Sequence, residues 1–518
     1  MRPVQAISGG MTALAAFPSS AWRSLSDAAF NMVTSVRCSI MAFSSPHAAL
    51  AYREQRAFYL SYSAANRKGP NKNWRPSNKT ADEQIMRGWS DVMARARDLA
   101  RNNPNISGAL RKICNNVVFK GIMPQAQLMR GDTSDEVNNR LVEHQFKKWA
   151  RQVKFRSKQK LAVRSLWSDG GSFVRCFASE TLHKRGVVPL GIEILEVDHL
   201  DRERNEELEN GNVINRGIEY TPDGFVDAYW LFPNHPGNTR NFMRRLHQSE
   251  RVSADTCFLI MDPERPSQSL PIPLLASVIM SMHNFNEYQD AEQIAARIAA
   301  AFSVFVKTTG IGQVGNGLDG SPLPTMAQGT TTEGKPLPGF VGTGNIIELP
   351  PGKEIQVANN PRPGENYEPF TRTNLRNAST GVGMSSAAFS NDYSDANYSS
   401  IRQSVLEERR SYQDQQQLLK DEMLDPVFEL WVLFRWLFGY GQEREIPVVW
   451  QTPGWEWVDP LKDANAAKIL KEMGIENEID LAASRGRDYE ENVEKQARAK
   501  DMRKRKGLDT EQEAKPDA

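Results

Sequence analysis

The spacing most suggestive of chemistry is Gly310-Ile-Gly312-Gln-Val-Gly315, which matches the GxGxxG dinucleotide fingerprint and follows Phe302–Thr308, readable as a strand. That chemistry needs a helix to begin at the glycines, so that its first N–H groups face a pyrophosphate. Asn316-Gly-Leu-Asp-Gly-Ser-Pro322 follows instead and cannot open a helix. No cofactor is expected. Ser157-Lys-Gln-Lys160 and Lys307-Thr-Thr-Gly310 are spaced like parts of a serine acylation site, but no Ser-Asp-Asn lies between them. The chain has no P-loop, HExxH or GxSxG string. Its seven histidines are scattered, and His144 and His199 read as structural. Asp198 and Asp201 fall in a charged turn, where solvation is expected. Cys38, Cys114, Cys176 and Cys257 form no CxxC pair and have no histidine at ligand spacing. That predicts neither a zinc site nor a disulfide framework, and it suits a reducing compartment. The sequence marks no enzyme and no metal site.

The elements that surround these residues must therefore carry the function. The chain has 518 residues, with 64 Lys+Arg against 63 Asp+Glu. That length allows about three domains. A charged fraction of 25% excludes a collagen-like or globally disordered chain. The net charge of +1 excludes a protein that coats nucleic acid through bulk positive charge. The most apolar window, 427–438, is interrupted by Glu429 and Arg435 and is too short to span a membrane. Residues 1–45 are rich in Ala, Ser and Met and poor in acids. They look somewhat like a targeting presequence, but a mobile arm or a stretch upstream of a later start such as Met41 is the favoured expectation.

From Thr80, a capping box with Glu83 opens a helical layer: one helix to the break at Asn102-Asn-Pro104, a second with Ile106, Leu110, Ile113 and Val117, and a third over about 134–150. Gly170-Gly171 punctuates, and strands follow at 172–178, 192–197, 217–220, 224–232 and 256–261, with Thr221-Pro-Asp-Gly224 as a hairpin turn. A long helix runs over about 274–302. Residues 309–364 are dense in Gly, Pro, Thr and Ser, with β-like runs at 345–349 and 354–357. A helix at 367–380 precedes a polar loop at 385–399. The longest helical pattern, about 398–438, is expected to kink at Pro426 and end at Gly439. A Trp-rich strand region at 446–458 and a charged helical tail at 461–518 complete an α+β chain. The basic run Arg503-Lys-Arg-Lys506 reads as a solvated helix end.

The loop 385–399 contains Asp392 and Asp395 and no Lys or Arg. As a surface loop it needs no function. Lining a pore in several copies, its acids would repel a phosphate backbone while Asn, Ser and Tyr groups touched it weakly. A conduit needs that balance, because tight phosphate binding would stall a moving polyanion.

This order of elements resembles the lambda-type portal proteins of tailed bacteriophages, as do several strings. The strongest is Gly454-Trp-Glu-Trp457-Val-Asp459-Pro460-Leu-Lys462. Others are Asn73-Trp-Arg-Pro76-Ser, Arg97-Asp-Leu-Ala-Arg101-Asn-Asn-Pro104, Asn116-Val-Val-Phe-Lys-Gly121, Ser168-Asp-Gly170-Gly, Glu196-Val-Asp198-His-Leu200, Gly217-Ile-Glu-Tyr220 and Met261-Asp-Pro-Glu-Arg265-Pro. They recur in order over about residues 50–510. Two features depart from the family. Gln268-Ser-Leu-Pro-Ile-Pro273 stands where Gln-x-Arg-Gly-x-Pro is common, and residues 1–45 have no counterpart.

The resemblance implies a portal fold in a dodecameric ring at one capsid vertex, the channel for packaging and ejection of double-stranded DNA. It implies a wing at 46–270, a first stem helix at 271–308, an inserted α/β clip at 309–364 and a second stem helix at 365–384. A tunnel loop at 385–399, a long kinked wing helix with Trp-rich strands at 400–460, and an α-helical crown at 461–518 complete it. Asn391, Asp392, Tyr393, Asp395, Asn397 and Tyr398 would line the channel. The partners implied are further copies of the chain, the phage terminase, the major capsid and scaffold proteins, and the head-completion or connector proteins. Assembly would take place in the bacterial host cytoplasm, and the product would reside in the virion. The alternatives are another phage head component, such as a capsid or head–tail adaptor protein, and a nucleotide-dependent enzyme using the 310–315 glycines.

Overall fold

A computed structural model describes residue 73 and residues 76–506, apart from 132, 239–247, 302–304, 309–352, 357–363, 365, 395–396 and 458. The 1–45 arm, the 310–315 glycines, the 345–349 run, Cys38 and Asp395 thus lie outside the described residues, as does nearly all of 309–364. The chain divides into two compact units, Met1–Lys79 and Thr80–Ala518, and the second is treated below.

The expected first helix is two. Thr80 caps Ala81–Met86 by accepting from the Glu83 N–H, and Gly88 then separates that turn from Trp89–Asn102. Asn103 ends the latter and caps Pro104–Val117 through the Ile106 N–H. Glu136–Gln152 follows, and then a helix absent from the sequence reading, Phe155–Ser168. Its exposed face is strongly basic, which hides the buried Phe155, Ala162, Val163 and Leu166. Lys154, at φ 53°, turns the chain between the two.

The strands form two main antiparallel sheets. Gly171–Ala178 lies between Cys257–Met261 and Leu190–Glu196. A second sheet has the order Glu250–Ser253, Val226–Leu231, Ile218–Tyr220, Val213–Asn215, Glu206–Glu207. The Thr221-Pro-Asp-Gly224 hairpin forms as expected, with Gly224 at φ 87° and its N–H donating to the Thr221 carbonyl. Among its described residues the Trp-rich region is mostly irregular, and only Val448–Gln451 is a strand, paired with Met123–Ala126.

Gly170 and Gly171 are more than punctuation. A Cβ at Gly170 would lie 2.3 Å from the Ile272 backbone, and one at Gly171 would lie 2.4 Å from the Ile260 carbonyl oxygen. The turn into the central strand and the segment leading to the next helix therefore touch backbone to backbone at Gly170, while Gly171 packs against the neighbouring strand. That segment is fixed further by Asp82, which accepts from the Ser269 and Leu270 N–H groups, and by Trp89 Nε1 donating to the Pro271 carbonyl. The helical segment after it starts at Leu274, as read from the periodicity, but first as a 3₁₀ turn Leu274–Ser277 and then as Ile279–Ala301. Phe305–Thr308 pairs with Lys353–Gln356. Tyr367–Val382 runs back antiparallel to Ile279–Ala301, with Gly381 against Val278 at one end and Phe370 4.7 Å from the Tyr288 ring further along.

The long helix spans about 60 Å at 1.5 Å per residue. Its disruption is a π turn, Lys420–Leu424, between Tyr398–Leu419 and Asp425–Leu437. Pro426 cannot donate a backbone hydrogen bond and clashes with the carbonyl four residues earlier, and the wider turn just before it absorbs both. Gly439, at φ 74°, ends the helix as expected. Its second half enters the main core, where the Phe146 ring lies 4.9 Å from Trp149, 5.2 Å from Trp431 and 5.7 Å from both Phe155 and Phe428. Trp149 Nε1 donates to the Leu190 carbonyl, so its one polar atom is satisfied inside that cluster.

The tail carries helices Pro460–Glu472, Glu478–Ala483 and Tyr489–Arg505, none with a buried residue. Gly454 and Gly486 cross at van der Waals limits, and Arg485 stacks 3.3 Å from the Trp457 ring centre. Trp455 Nε1 donates to Asn116 Oδ1. The Gly454-Trp-Glu-Trp457 string thus clamps the tail onto the body. Among the described residues, no helix is long and apolar enough to cross a membrane.

Candidate functional site

The segment 385–399 is not wholly a loop. Ser385 caps a short helix, Ser386–Ser390, by accepting from the Ala388 N–H, and Phe389 is buried beneath it. Glu408 on the long helix accepts from the Ser385 N–H at 2.8 Å, tying the start of the segment to the body. Asn391 follows at φ 58°, a left-handed conformation that Asn tolerates better than most residues. Its Oδ1 accepts from Lys112 Nζ at 2.5 Å, and the same ammonium donates to the Ala388 carbonyl.

Asp392 Oδ1 accepts from the Ser394 hydroxyl at 2.6 Å and the Ser394 N–H at 3.1 Å. Its Oδ2 lies 3.4 Å from Arg372 Nη2, which also donates to Ser394 Oγ at 2.8 Å. The hydroxyl and N–H of Ser394, and then the charges of Arg372 and Arg376, hold the Asp392 carboxyl below its ordinary range. Asn397 closes the segment. Its side chain accepts from the Ser400 N–H while its own N–H donates to Ser400 Oγ, a reciprocal cap on Tyr398–Leu419. The Tyr398 hydroxyl donates to Asp459 Oδ2 at 3.3 Å. Tyr393 is 52% exposed.

The structure thus brings together five of the six residues named from the sequence and gives four of them bonds within the chain. It also corrects the charge reading. The segment has no base of its own, but Lys112, Arg372 and Arg376 lie against it from other helices. Beside Asp392 opens a cavity of about 440 Å³, lined by Thr371, Arg372, Arg376, Ser386, Ser390 and Ser404 among others. Its surface offers hydroxyls, and Arg372 also faces Glu368 at 3.2 Å. This arrangement can hydrogen-bond weakly to a polar surface but contains no nucleophile–base pair.

The other candidates prove structural. Glu196, Asp198 and His235 bring their ligand atoms within 4.8 Å of one another. A cation is already there: the Arg97 guanidinium pairs with Asp198 and Asp169 and lies 3.5 Å from Glu196. Asp198 and Asp201 are therefore not simply solvated, since Asp201 Oδ2 accepts from Ser249 Oγ at 2.6 Å. His199 Nδ1 bonds the Phe232 carbonyl at 2.8 Å, the structural role expected. Cys114, Cys176 and Cys257 are buried and free, and burial pushes the thiols of Cys176 and Cys257 up to about 12. They are inert. Lys112, Arg372 and Glu408 were not legible in the sequence, because their partnership with 385–399 exists only in the fold.

Comparison with known proteins bears on the family of the chain. The family described as "Phage portal protein, lambda family" matches residues 67–416. The "Probable portal protein" of Halomonas phage phiHAP-1 is 29% identical over 455 residues, 84% of this chain and 85% of that one. The "Portal protein" of Escherichia phage N15 is 24% identical over 181 residues, 32% of this chain and 34% of its own length. Among solved structures, a chain from the neck of an empty GTA particle computed with C6 symmetry has a TM-score of 0.39 at 11% identity, covering 77% of this chain and 93% of its own. One from the neck of a native GTA particle computed with C12 symmetry has 0.37 at 11%, with 76% and 92% covered. With the family matched over most of its length, the chain belongs to the lambda family of phage portal proteins.

Proposed function

We propose that the chain assembles as a dodecameric ring at one capsid vertex and forms the channel through which double-stranded DNA is packaged and ejected. The observation that carries this reading is the family match over 67–416, which includes the antiparallel helix pair and the segment 385–399. The helices Ile279–Ala301 and Tyr367–Val382 act as the stem, and 385–399 narrows the channel around the duplex. Residues 309–364 form the clip that docks the terminase and later the head-completion proteins. The rest of the chain meets the capsid and scaffold proteins. The protein works by position, and the terminase supplies ATP hydrolysis.

The charge geometry supports a loose contact. Duplex DNA carries about one negative charge per 1.7 Å of its axis, so a ring of unpaired bases would hold it. Here Lys112 donates to the Ala388 carbonyl and Asn391 Oδ1, and Arg372 faces the carboxylates of Asp392 and Glu368. Replacing Asp392 and Asp395 with Lys reverses that balance, adding two bases per copy beside Lys112, Arg372 and Arg376. The double variant is expected to slow packaging or release severalfold at low salt, with the defect easing as salt rises. Packaging at the wild-type rate by assembled variant rings would sink the channel-facing assignment of 385–399.

A further inference from the structure

The segment 385–399 is held by two clamps of different character. At its root, Lys112 reaches from helix Pro104–Val117 to the Ala388 carbonyl and Asn391 Oδ1, while Glu408 holds the Ser385 N–H. Lys112 is partly buried, and desolvation lowers its pKa against the pull of Glu408. Removing these bonds leaves an ammonium and the carbonyl end of a helix without partners, which is costly. At the tip, Arg372 holds Asp392 and Ser394 across solvent, with side chains 31% and 43% exposed for Arg372 and Asp392. A pair of that exposure contributes little and is screened by salt.

Arg372 also has a second carboxylate at hand. Glu368, one turn earlier on the same helix, lies 3.2 Å from the same Nη2 atom that meets Asp392. Letting go of Asp392 therefore does not strand the guanidinium, and Asp392 keeps both bonds from Ser394. The cavity beside the clamp gives the released side chains room.

We propose that Lys112 and Arg372 are positioning residues for this segment: Lys112 fixes its root, and Arg372 holds its tip by choosing between Asp392 and Glu368, so that the tip opens while the root stays. In the channel, a strand of phosphates passing Arg372 competes with Asp392 for the guanidinium and so favours the open tip. That consequence rests on the channel reading, whereas the two clamps do not.

Hydrogen exchange on the full-length protein, without DNA, tests the clamps. In the wild type, raising salt to about 1 M, where the screening length is roughly 3 Å, should speed exchange in the peptide covering 391–397 by about two- to fivefold and leave 386–390 unchanged. Arg372→Gln should show the faster rate already at low salt and lose the salt response, whereas Arg372→Lys, which keeps the charge, should retain most of the protection. Lys112→Met should speed exchange across both 386–390 and 391–397. A core peptide over 146–155 with unchanged exchange confirms that each variant is folded. No salt effect in the wild type, a salt response intact in Arg372→Gln, or a Lys112→Met effect confined to the tip would overturn the assignment. Because no DNA is present, these outcomes are independent of the Asp392/Asp395 packaging result.

Discussion

Phe146→Ala should lower the stability of the isolated chain by about 3–5 kcal/mol, measured as a fall in the thermal or denaturant midpoint. Phe146 is fully buried and its ring lies within 5.8 Å of the rings of Trp149, Phe155, Phe428 and Trp431. Trp149 shares the Phe146 helix, Phe155 opens the next one and the other two belong to the long helix, so the cavity would open where the first helical layer meets the long helix. Removing an aromatic ring there loses its transfer free energy and leaves a void that its rigid neighbours cannot close. A midpoint within experimental error of the wild type would mean that this cluster does not join the first helical layer to the long helix.

Gly454→Ala should release the C-terminal helices while the rest of the chain stays folded. A Cβ at Gly454 would lie 2.2 Å from the Ser484 carbonyl oxygen and 2.3 Å from the Arg485 carbonyl carbon, and both are backbone. The crossing cannot close around an added methyl, and overpacking of this kind costs about 1–3 kcal/mol. The cost falls on a segment with little else to hold it. No residue of Pro460–Glu472, Glu478–Ala483 or Tyr489–Arg505 is buried. Apart from the clamp, bonds such as Gln125 to Asp488 and Arg140 to Glu494 attach them. Limited proteolysis should then cut within 460–506 at least tenfold faster in the variant than in the wild type, with the 146–168 region equally protected in both. Equal cleavage rates would show that the tail is held by something other than the Gly454 crossing.

Much of the fold was legible because its signals are local. Helical periodicity, the Thr80 cap, the Thr221-Pro-Asp-Gly224 hairpin and the Gly439 terminator each arise from neighbours in sequence. What escaped depends on distant contacts. Met123–Ala126 is a strand only because Val448–Gln451 pairs with it. Phe155–Ser168 shows a basic face to solvent, and its apolar face needed Phe146 and Trp431 to be recognised as core. Gly170 and Gly454 looked like a turn signal and part of a family string, while their work is to let backbones touch.

The candidate site followed the same division. The sequence located the segment and its acids, and Asn391, Asp392 and Asn397 turned out to build its shape as well as to present it. Its electrostatics were not legible. The segment alone reads as acidic, and the helices bearing Lys112, Arg372 and Arg376 supply the opposite charge.

The central claim is that 385–399 narrows a DNA channel in a ring. Cryo-electron microscopy of the chain assembled with its capsid and scaffold proteins tests it directly. The expected result is a closed ring at one vertex with an open axial hole, and density for 385–399 at its narrowest point. A ring in which that segment lies on the outer wall, or an assembly without a through-hole, would contradict it.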